Sequence, residues 1–150
     1  MEKRLRHKLK NGNFMNLTPQ RSRTMKAIKA KNNSTTEARL RFALVSRGIR
    51  GWKMHVGVQE GRPDFFFPEQ KVAIFVDGCF WHGCPDHGHI PSNNRAFWKA
   101  KIESNTKRDR ATRDSLSSID IRVLRFWEHS LKDDLEACVD RVQNALYGNQ

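Results

Sequence analysis

Two short apolar runs in the middle of the chain give its clearest structural signal. Residues 65–67 and 72–76 are mostly aromatic or β-branched and of strand length, and the four residues between them are few enough for a hairpin. If the end of the first run pairs with the start of the second, Asp64 lies beside the Val76 carbonyl and close to Asp77. The pattern therefore predicts two carboxylates and one backbone oxygen at the same end of a sheet, a suitable site for Mg²⁺.

Pro63-Asp64 and Asp77-Gly78 are also typical turn dipeptides, which is the simpler interpretation of either pair taken alone. Their registration across one predicted hairpin favours the metal site. We therefore take Asp64 and Asp77 as candidate catalytic residues, and Asp64 with the backbone oxygen of Val76 as candidate Mg²⁺ ligands.

The flanking segments alternate between helical and strand periodicity. The predicted elements are a helix over 18–31, a helix between Ser34 and Gly48, a strand with Trp52, Met54 and Val56, the hairpin, a helix over about 95–117 capped by Asn94, a strand over 119–126 and a final helix with apolar positions from Leu131 to Leu146. This order predicts an α/β fold with a mixed central sheet flanked by helices.

Glu37 has two interpretations. Ser34 and Glu37 have the spacing of a capping box, in which the Glu37 carboxylate returns to the Ser34 amide. Glu37 also has helical spacing with Leu40 and Leu44, which would turn it inward toward the sheet end that carries Asp64. The second interpretation makes Glu37 a candidate catalytic residue.

The charge distribution predicts a nucleic-acid partner. The chain of 150 residues has a net charge of +12, and none of its apolar runs approaches the ~20 residues of a membrane span. Residues 1–31 carry ten Lys or Arg and one Glu, whereas 128–140 carries five acids and one Lys. We expect a flexible basic arm over 1–16, with Met15 as an alternative start, followed by one domain over 17–150.

The cysteines indicate a reducing compartment and a metal. Three cysteines do not form a disulfide framework, so we expect a cytoplasmic protein. Cys84 and His87 form C-x-x-H, a spacing that presents a thiolate and an imidazole to Zn²⁺, and His129 and Asp109 are candidates for the other two ligands. A closed set of four ligands would be structural, although His89 competes with His87 and the residues can also be unrelated loop positions.

His82 is the candidate general base. It follows Asp77 by five residues, in the turn that leads to Cys84. An imidazole that is neutral near pH 7 can accept a proton from an attacking water while Mg²⁺ on Asp64 stabilises charge on a phosphate. The simpler alternative is that His82 supports the catalytic or zinc site without taking a proton.

Large aromatic residues lie close to basic ones. Phe80 and Trp81 are in the loop, and Trp98 begins the long basic helix. Such aromatics suit insertion between bases, although core packing is the default role of Trp, as it is of Met25.

Four motifs together resemble the very-short-patch-repair (Vsr) DNA mismatch endonucleases. They are GRPDF, VDGCFWHGCP, FW-x-x-K-I-x-x-N-x-x-RD and RVLRFWEH, in the family's order and spacing over about 18–131. The resemblance implies a restriction-endonuclease-like fold with a structural zinc. It also implies Mg²⁺-dependent nicking of one strand 5′ to the thymine of a T·G mismatch, the product of 5-methylcytosine deamination. The implied protein is a monomer in the bacterial nucleoid, assisted by mismatch-repair proteins.

The resemblance assigns roles to individual positions. Asp64 would be the central magnesium carboxylate, with Glu37 and His82 completing the catalytic set. The zinc ligands would be Cys84, His87, Asp109 and His129, and the DNA contacts would be Met25 in the minor groove, Phe80, Trp81 and Trp98 between bases, and Lys101 and Asn105 at the mismatch.

Three positions depart from the family pattern. Asp77 stands where histidine is expected, Val76 where threonine is expected, and Cys79 takes the place of the lysine in the general PD-(D/E)xK nuclease pattern. Two alternatives therefore stay open: a related homing or restriction-type nuclease that cuts matched DNA, and a non-catalytic zinc-stabilised DNA-binding module.

Overall fold

The computed structural model describes residues 35–148. In chain order the elements are helix α1 (35–46), strands β1 (Lys53–Met54), β2 (Phe65–Phe67) and β3 (Val72–Asp77), helix α2 (Arg95–Ser117), strand β4 (Arg122–Trp127) and helices α3 (Glu128–Asp133) and α4 (Leu135–Tyr147). The predicted arm over 1–16, the predicted helix over 18–31, Met25 and Ser34 lie outside these residues.

Within residues 35–148, four strands form one mixed sheet in the order β1-β2-β3-β4. The first three strands are antiparallel neighbours, and β4 is parallel to β3 because α2 crosses from one to the other. Phe67 pairs with Val72, which is the predicted hairpin register. The amide of Asp64, one place before β2, donates to the Ile74 carbonyl at 2.9 Å.

Hydrophobic side chains pack on both faces of the sheet because successive strand residues point to opposite sides. One core lies between the sheet and helices α1, α3 and α4, with Leu40, Phe65, Ile74 and Val139 fully buried. A smaller core lies beneath α2 and includes Leu116. The predicted mixed α/β architecture is confirmed. Because helices cover both faces of the sheet, the strand ends are left to carry polar side chains.

Two predicted strands are shorter than expected, and in each case a positive φ gives the reason. The predicted first strand reached Val56, but His55 has φ 54° and turns the chain away after Met54. The last strand begins at Arg122 rather than Ile119, because Asp120 with φ 62° completes a turn after α2.

The helix ends also correct two expectations. The predicted final helix is two helices, because Asp134 leaves helical geometry and its side chain accepts from the Ala137 amide at 3.1 Å, beginning α4. Asn94 does precede α2, but it has φ 58° and its side chain makes no capping hydrogen bond. Among residues 35–148, none of the helices is long and apolar enough to cross a membrane.

Candidate active site and metal-binding clusters

Three groups of potential metal ligands lie near the open end of the β2–β3 hairpin, where Asp64 precedes β2 and Asp77 ends β3. Within each group the ligand atoms are all within 4.8 Å of one another. Within residues 35–148 the groups are Glu37, His55 and Asp64; Asp77, His82 and Asp109; and Cys79, Cys84 and His129.

The first cluster contains Glu37 and Asp64. Glu37 faces inward from α1, on the side of the helix that buries Leu40 and Leu44. Its Oε2 is 3.1 Å from His55 Nε2, and His55 Nδ1 is 3.8 Å from Asp64 Oδ1. The cluster therefore joins α1, the β1–β2 connection and the start of β2, which are distant in sequence.

Asp64 is fixed at the end of the hairpin by its own side chain. Its Oδ2 accepts a hydrogen bond from the Val76 amide at 2.7 Å, across the open end of the two strands. The other carboxylate oxygen faces His55. The sequence patterns did not predict His55, which lies one residue beyond the Met54–Phe65 pair of the structure.

The electrostatics of this cluster favour a bound cation. Burial, together with the neighbouring Glu37 carboxylate, raises the pKa of Asp64 to about 7, although the Val76 hydrogen bond and His55 act in the opposite direction. Two carboxylates this close resist simultaneous ionisation unless a positive charge lies between them. Glu37 and Asp64 could thus hold a divalent ion.

The second cluster places His82 against two carboxylates and a guanidinium. His82 Nδ1 is 2.6 Å from Asp109 Oδ2 and 3.7 Å from Asp77 Oδ1. Burial opposes ionisation of Asp109, but the hydrogen bond from His82 and the charges of Arg125 and Arg108 outweigh it and lower the pKa of Asp109. An ionised Asp109 makes Nδ1 the protonated ring nitrogen, so neutral His82 presents Nε2 as an acceptor.

Asp77 does not join Asp64 as the hairpin pattern predicted. Arg125 Nη1 binds its two oxygens at 2.8 and 3.0 Å, which holds its side chain in the second cluster, with His82 and Asp109. The Arg125 guanidinium also lies 4.3 Å above the Phe75 ring. Asp77 is therefore neutralised within a buried ion pair, which leaves it poorly placed to act on substrate.

The third cluster contains the thiols of Cys79 and Cys84. His129 Nδ1 is 3.1 Å from Cys79 Sγ and 3.5 Å from Cys84 Sγ, and the His87 ring lies 4.1 Å from the His129 ring, centroid to centroid. The His87 amide also points at Cys84 Sγ, at 3.5 Å. Ligands of one zinc, with bonds of about 2.3 Å to sulfur and 2.0–2.1 Å to nitrogen, stand about 3.6 Å apart, so this donor set fits a tetrahedral metal.

Asp109 lies in the second cluster instead of completing this third one. His82 contacts its Oδ2 and Arg125 lies 3.7 Å from its Oδ1, so both oxygens face partners other than the thiols. Cys79 takes its place beside Cys84, His87 and His129. Burial and the neighbouring Cys84 raise the pKa of Cys79 to about 11 despite the contact with His129, so a bound metal is needed to make it a thiolate near pH 7.

Two further contacts hold the loop that carries these ligands. Glu128 Oε1 accepts from the Cys79 amide at 3.0 Å, tying the loop to α3. Gly83 has φ 68°, and a Cβ there would lie 2.9 Å from Ile102 of α2. Only glycine combines this conformation with so close an approach, which allows His82 and Cys84 to join different clusters.

The candidate DNA-contacting aromatics form one group. Phe80, Trp81 and Trp98 pack edge to face, with ring centroids 5.1 to 5.8 Å apart. Trp98 is buried, whereas Phe80 and Trp81 are half-buried. Asn105 is also buried, and its Nδ2 donates to the Trp81 carbonyl at 2.9 Å, so the structure places it beneath the loop rather than on an open surface.

Comparison with known proteins gives one consistent family. The family model described as DNA mismatch endonuclease Vsr matches residues 16–87. The chain is 42% identical over 134 residues to the type II nicking enzyme V.NaeI of Lentzea aerocolonigenes, covering 85% of this chain and 80% of that protein. It is 36% identical over 137 residues to the DNA mismatch endonuclease Vsr of Escherichia coli K12, covering 85% and 84%.

A solved structure supports the fold. The catalytic domain of homing endonuclease I-Bth0305I superposes with a TM-score of 0.51 at 21% identity, covering 73% of this chain and 91% of that one. At this identity the likeness extends to the restriction-endonuclease-like fold alone.

We expect Asp64→Asn to stabilise the protein in Mg²⁺-free buffer, more at pH 8 than at pH 5. Folded Asp64 keeps its proton up to about pH 7, whereas its ordinary pKa is 3.8, so the folded state loses stability as the pH rises between these values. The uncharged amide avoids this loss. Urea unfolding should show a gain on the order of 1 kcal/mol at pH 8.

Asp114→Asn, at an exposed position of α2, is the matched control and should show no such pH dependence. An equal effect of Asp64→Asn at both pH values would contradict the electrostatic interpretation.

Proposed function

Because the chain belongs to the Vsr family of DNA mismatch endonucleases, we propose that it nicks one DNA strand 5′ to the thymine of a T·G mismatch, in a Mg²⁺-dependent reaction that begins very-short-patch repair. The observation that carries the proposal is the meeting of Glu37 and Asp64 at the start of β2, together with the His82–Asp109 pair beside Asp77 at the end of β3. Such mismatches arise when 5-methylcytosine deaminates.

Glu37, Asp64 and the carbonyl of Val76 would hold the Mg²⁺. Oxygen ligands suit this ion, and the raised pKa of Asp64 reflects a site with too much negative charge for two free carboxylates. When bound, Mg²⁺ would stabilise the charge that develops on the phosphate. Arg125 keeps Asp77 out of this set.

His82 would act as the general base. Asp109 holds its Nδ1 proton at 2.6 Å, which leaves Nε2 as the acceptor for a proton from the attacking water. Asp109 also stabilises the imidazolium that forms. Arg125, which contacts Asp77 and lies near Asp109, fixes the two carboxylates near His82 Nδ1.

The third cluster would bind a structural zinc. Cys79, Cys84 and His129, with His87 beside them, would supply four ligands, so that protein would take all tetrahedral positions and leave none for water. The zinc would fix the loop between Asp77 and His87, and with it the positions of His82 and the aromatic group.

DNA recognition would use α2 and the aromatic group. The exposed face of α2 carries Lys99, Lys107, Arg110 and Arg113, which suit phosphate contacts, and Lys101 is half-buried on the same helix. Phe80 and Trp81 would insert at the mismatch, where unstacking costs less than in a matched duplex. The monomeric state, the repair partners and the contact of Met25 stay predictions.

The deciding experiment compares two labelled duplexes that differ only in a T·G mismatch and its matched pair. With Mg²⁺, we expect one nick, 5′ to the mismatched thymine, and little cutting of the matched duplex. Asp64→Ala should abolish nicking while duplex binding persists, because the substitution removes a metal ligand and leaves the basic surface intact.

Each alternative predicts a different result. Equal cutting of both duplexes would replace mismatch repair with a homing or restriction-type activity. Binding without cutting by the wild-type protein, at any divalent ion concentration tested, would indicate a non-catalytic DNA-binding module.

We expect Asp109→Asn to lower kcat by about 10²- to 10⁴-fold with little change in DNA affinity, because an amide neither orients His82 nor stabilises its protonated form. Single-turnover nicking and duplex binding measure the two effects separately. Asp114→Asn, on the same helix and exposed, should retain wild-type kcat. A wild-type rate for Asp109→Asn would remove the pair from the mechanism.

Metal analysis distinguishes the zinc ligands expected from the sequence, which include Asp109, from the set in the third cluster, which includes Cys79. Purified protein should contain about one zinc per chain, because four ligands form one closed site. Cys79→Ser should lose zinc and thermal stability, whereas Asp109→Asn should retain both metal and fold. Zinc loss in Asp109→Asn with retention in Cys79→Ser would support the ligand set expected from the sequence.

A further inference from the structure

We infer that His55 supplies a nitrogen ligand to the divalent ion held by Glu37 and Asp64, and that this makes the site favour Mn²⁺ over Mg²⁺. The inference rests on the proposed function for the presence of an ion between these two carboxylates. It adds a residue outside the four motifs by which the chain resembles its family.

The distances within the cluster are those of ligands around one ion. Two neighbouring ligands in an octahedral site with bonds of 2.0–2.1 Å stand about 3 Å apart. His55 Nε2 and Glu37 Oε2 are separated by 3.1 Å, and the ligand atoms of all three residues fall within 4.8 Å. Only small side-chain movements are needed for the three to converge on a common point.

The strand register places His55 here. Met54 pairs with Phe65, so His55 and Asp64 are the first residues beyond the pair, on adjacent strands at the same end of the sheet. The His55 amide faces the Asp64 carbonyl at 3.4 Å, and Arg62 Nε donates to the His55 carbonyl at 2.9 Å. The backbone on both sides of the imidazole is thus fixed relative to Asp64.

The chemistry of the donor decides the metal preference. Mg²⁺ prefers oxygen ligands and gives up its water reluctantly, whereas Mn²⁺ also accepts imidazole nitrogen. An imidazole adds a ligand without adding negative charge, so the two carboxylates still balance a divalent cation. The His55 side chain is 47% exposed, which leaves the ion open to a phosphate from solvent.

The rival role for His55 is a hydrogen bond to Glu37 without metal binding. Both roles agree with a 3.1 Å contact, but only a ligand transfers electron spin density from Mn²⁺ to its nitrogen. A spectroscopic measurement on the metal therefore separates them.

The experiment uses zinc-loaded full-length protein without DNA and Mn²⁺ as the probe. Mn²⁺ ranks below Zn²⁺ for nitrogen and sulfur sites, so it should leave the thiolate cluster occupied by zinc. Free Mn²⁺ is measured by electron paramagnetic resonance up to several millimolar, and directly coordinated nitrogen by electron spin echo envelope modulation.

Two substitutions suit the φ of 54° at His55. His55→Gly removes the donor and should weaken Mn²⁺ binding by at least about tenfold, because even indirect partners of a metal are worth 10–100-fold. His55→Asn offers an amide oxygen and should reduce the preference for Mn²⁺ over Mg²⁺. Both should abolish the nitrogen modulation. Gln59→Gly, an exposed position in the same connection with φ 52°, is the matched control and should behave as wild type.

The outcomes distinguish this inference from the proposed function. Unchanged Mn²⁺ affinity in His55→Gly, absence of nitrogen modulation in wild type, or absence of Mn²⁺ binding in wild type would each overturn the role of His55. Failure of the wild-type protein to nick DNA, with Mn²⁺ binding that still depends on His55, would overturn the proposed function alone.

Discussion

The hydrogen bond from the Val76 amide to the Asp64 carboxylate, 2.7 Å long, joins the two central strands where both leave the sheet. All three clusters depend on this point. Val76 fixes Asp64 in the first cluster, Asp77 contributes to the second and Cys79 to the third. Since strand residues alternate between faces, a few consecutive residues of β3 and its loop can serve separate groups of side chains.

The acidic charge of the first two clusters is opposite in sign to the net charge of the whole molecule. The chain carries +12, yet Glu37, Asp64, Asp77 and Asp109 gather within two clusters. Arg125 neutralises Asp77, whereas burial and the neighbouring Glu37 carboxylate raise the pKa of Asp64 to about 7 despite its contacts with the Val76 amide and His55. A divalent ion therefore binds more favourably between Glu37 and Asp64 than beside Asp77. The surrounding basic surface would attract DNA to a site that by itself repels phosphate.

Interactions fixed by strand length and local spacing could be predicted from the sequence. The apolar runs on both sides of a short connection determine the β2–β3 register and hence the position of Asp64. Long-range partners could not be predicted in the same way. Arg125 is 48 residues from Asp77 in sequence, so the pair that withdraws Asp77 from the metal leaves no local signal. Asp109 lies on the face of α2 that contacts the loop, and this loop carries residues of both the second and the third cluster. Helical spacing alone does not show which cluster Asp109 joins.

Helix α2 explains how binding and chemistry can be linked. Successive turns of one face contact the same loop: Trp98 packs on Phe80 and Trp81, Ile102 lies against Gly83, Asn105 binds the Trp81 carbonyl, and Asp109 holds His82. These positions recur every three or four residues, which is the repeat of one helical face. Because a helix is stiff along its axis, the distance between the aromatic group and His82 is fixed before DNA binds. An aromatic group inserted at a defined base step would therefore bring His82 to one particular phosphate, so recognition of the step and selection of the bond to be cut follow from the same rigid element.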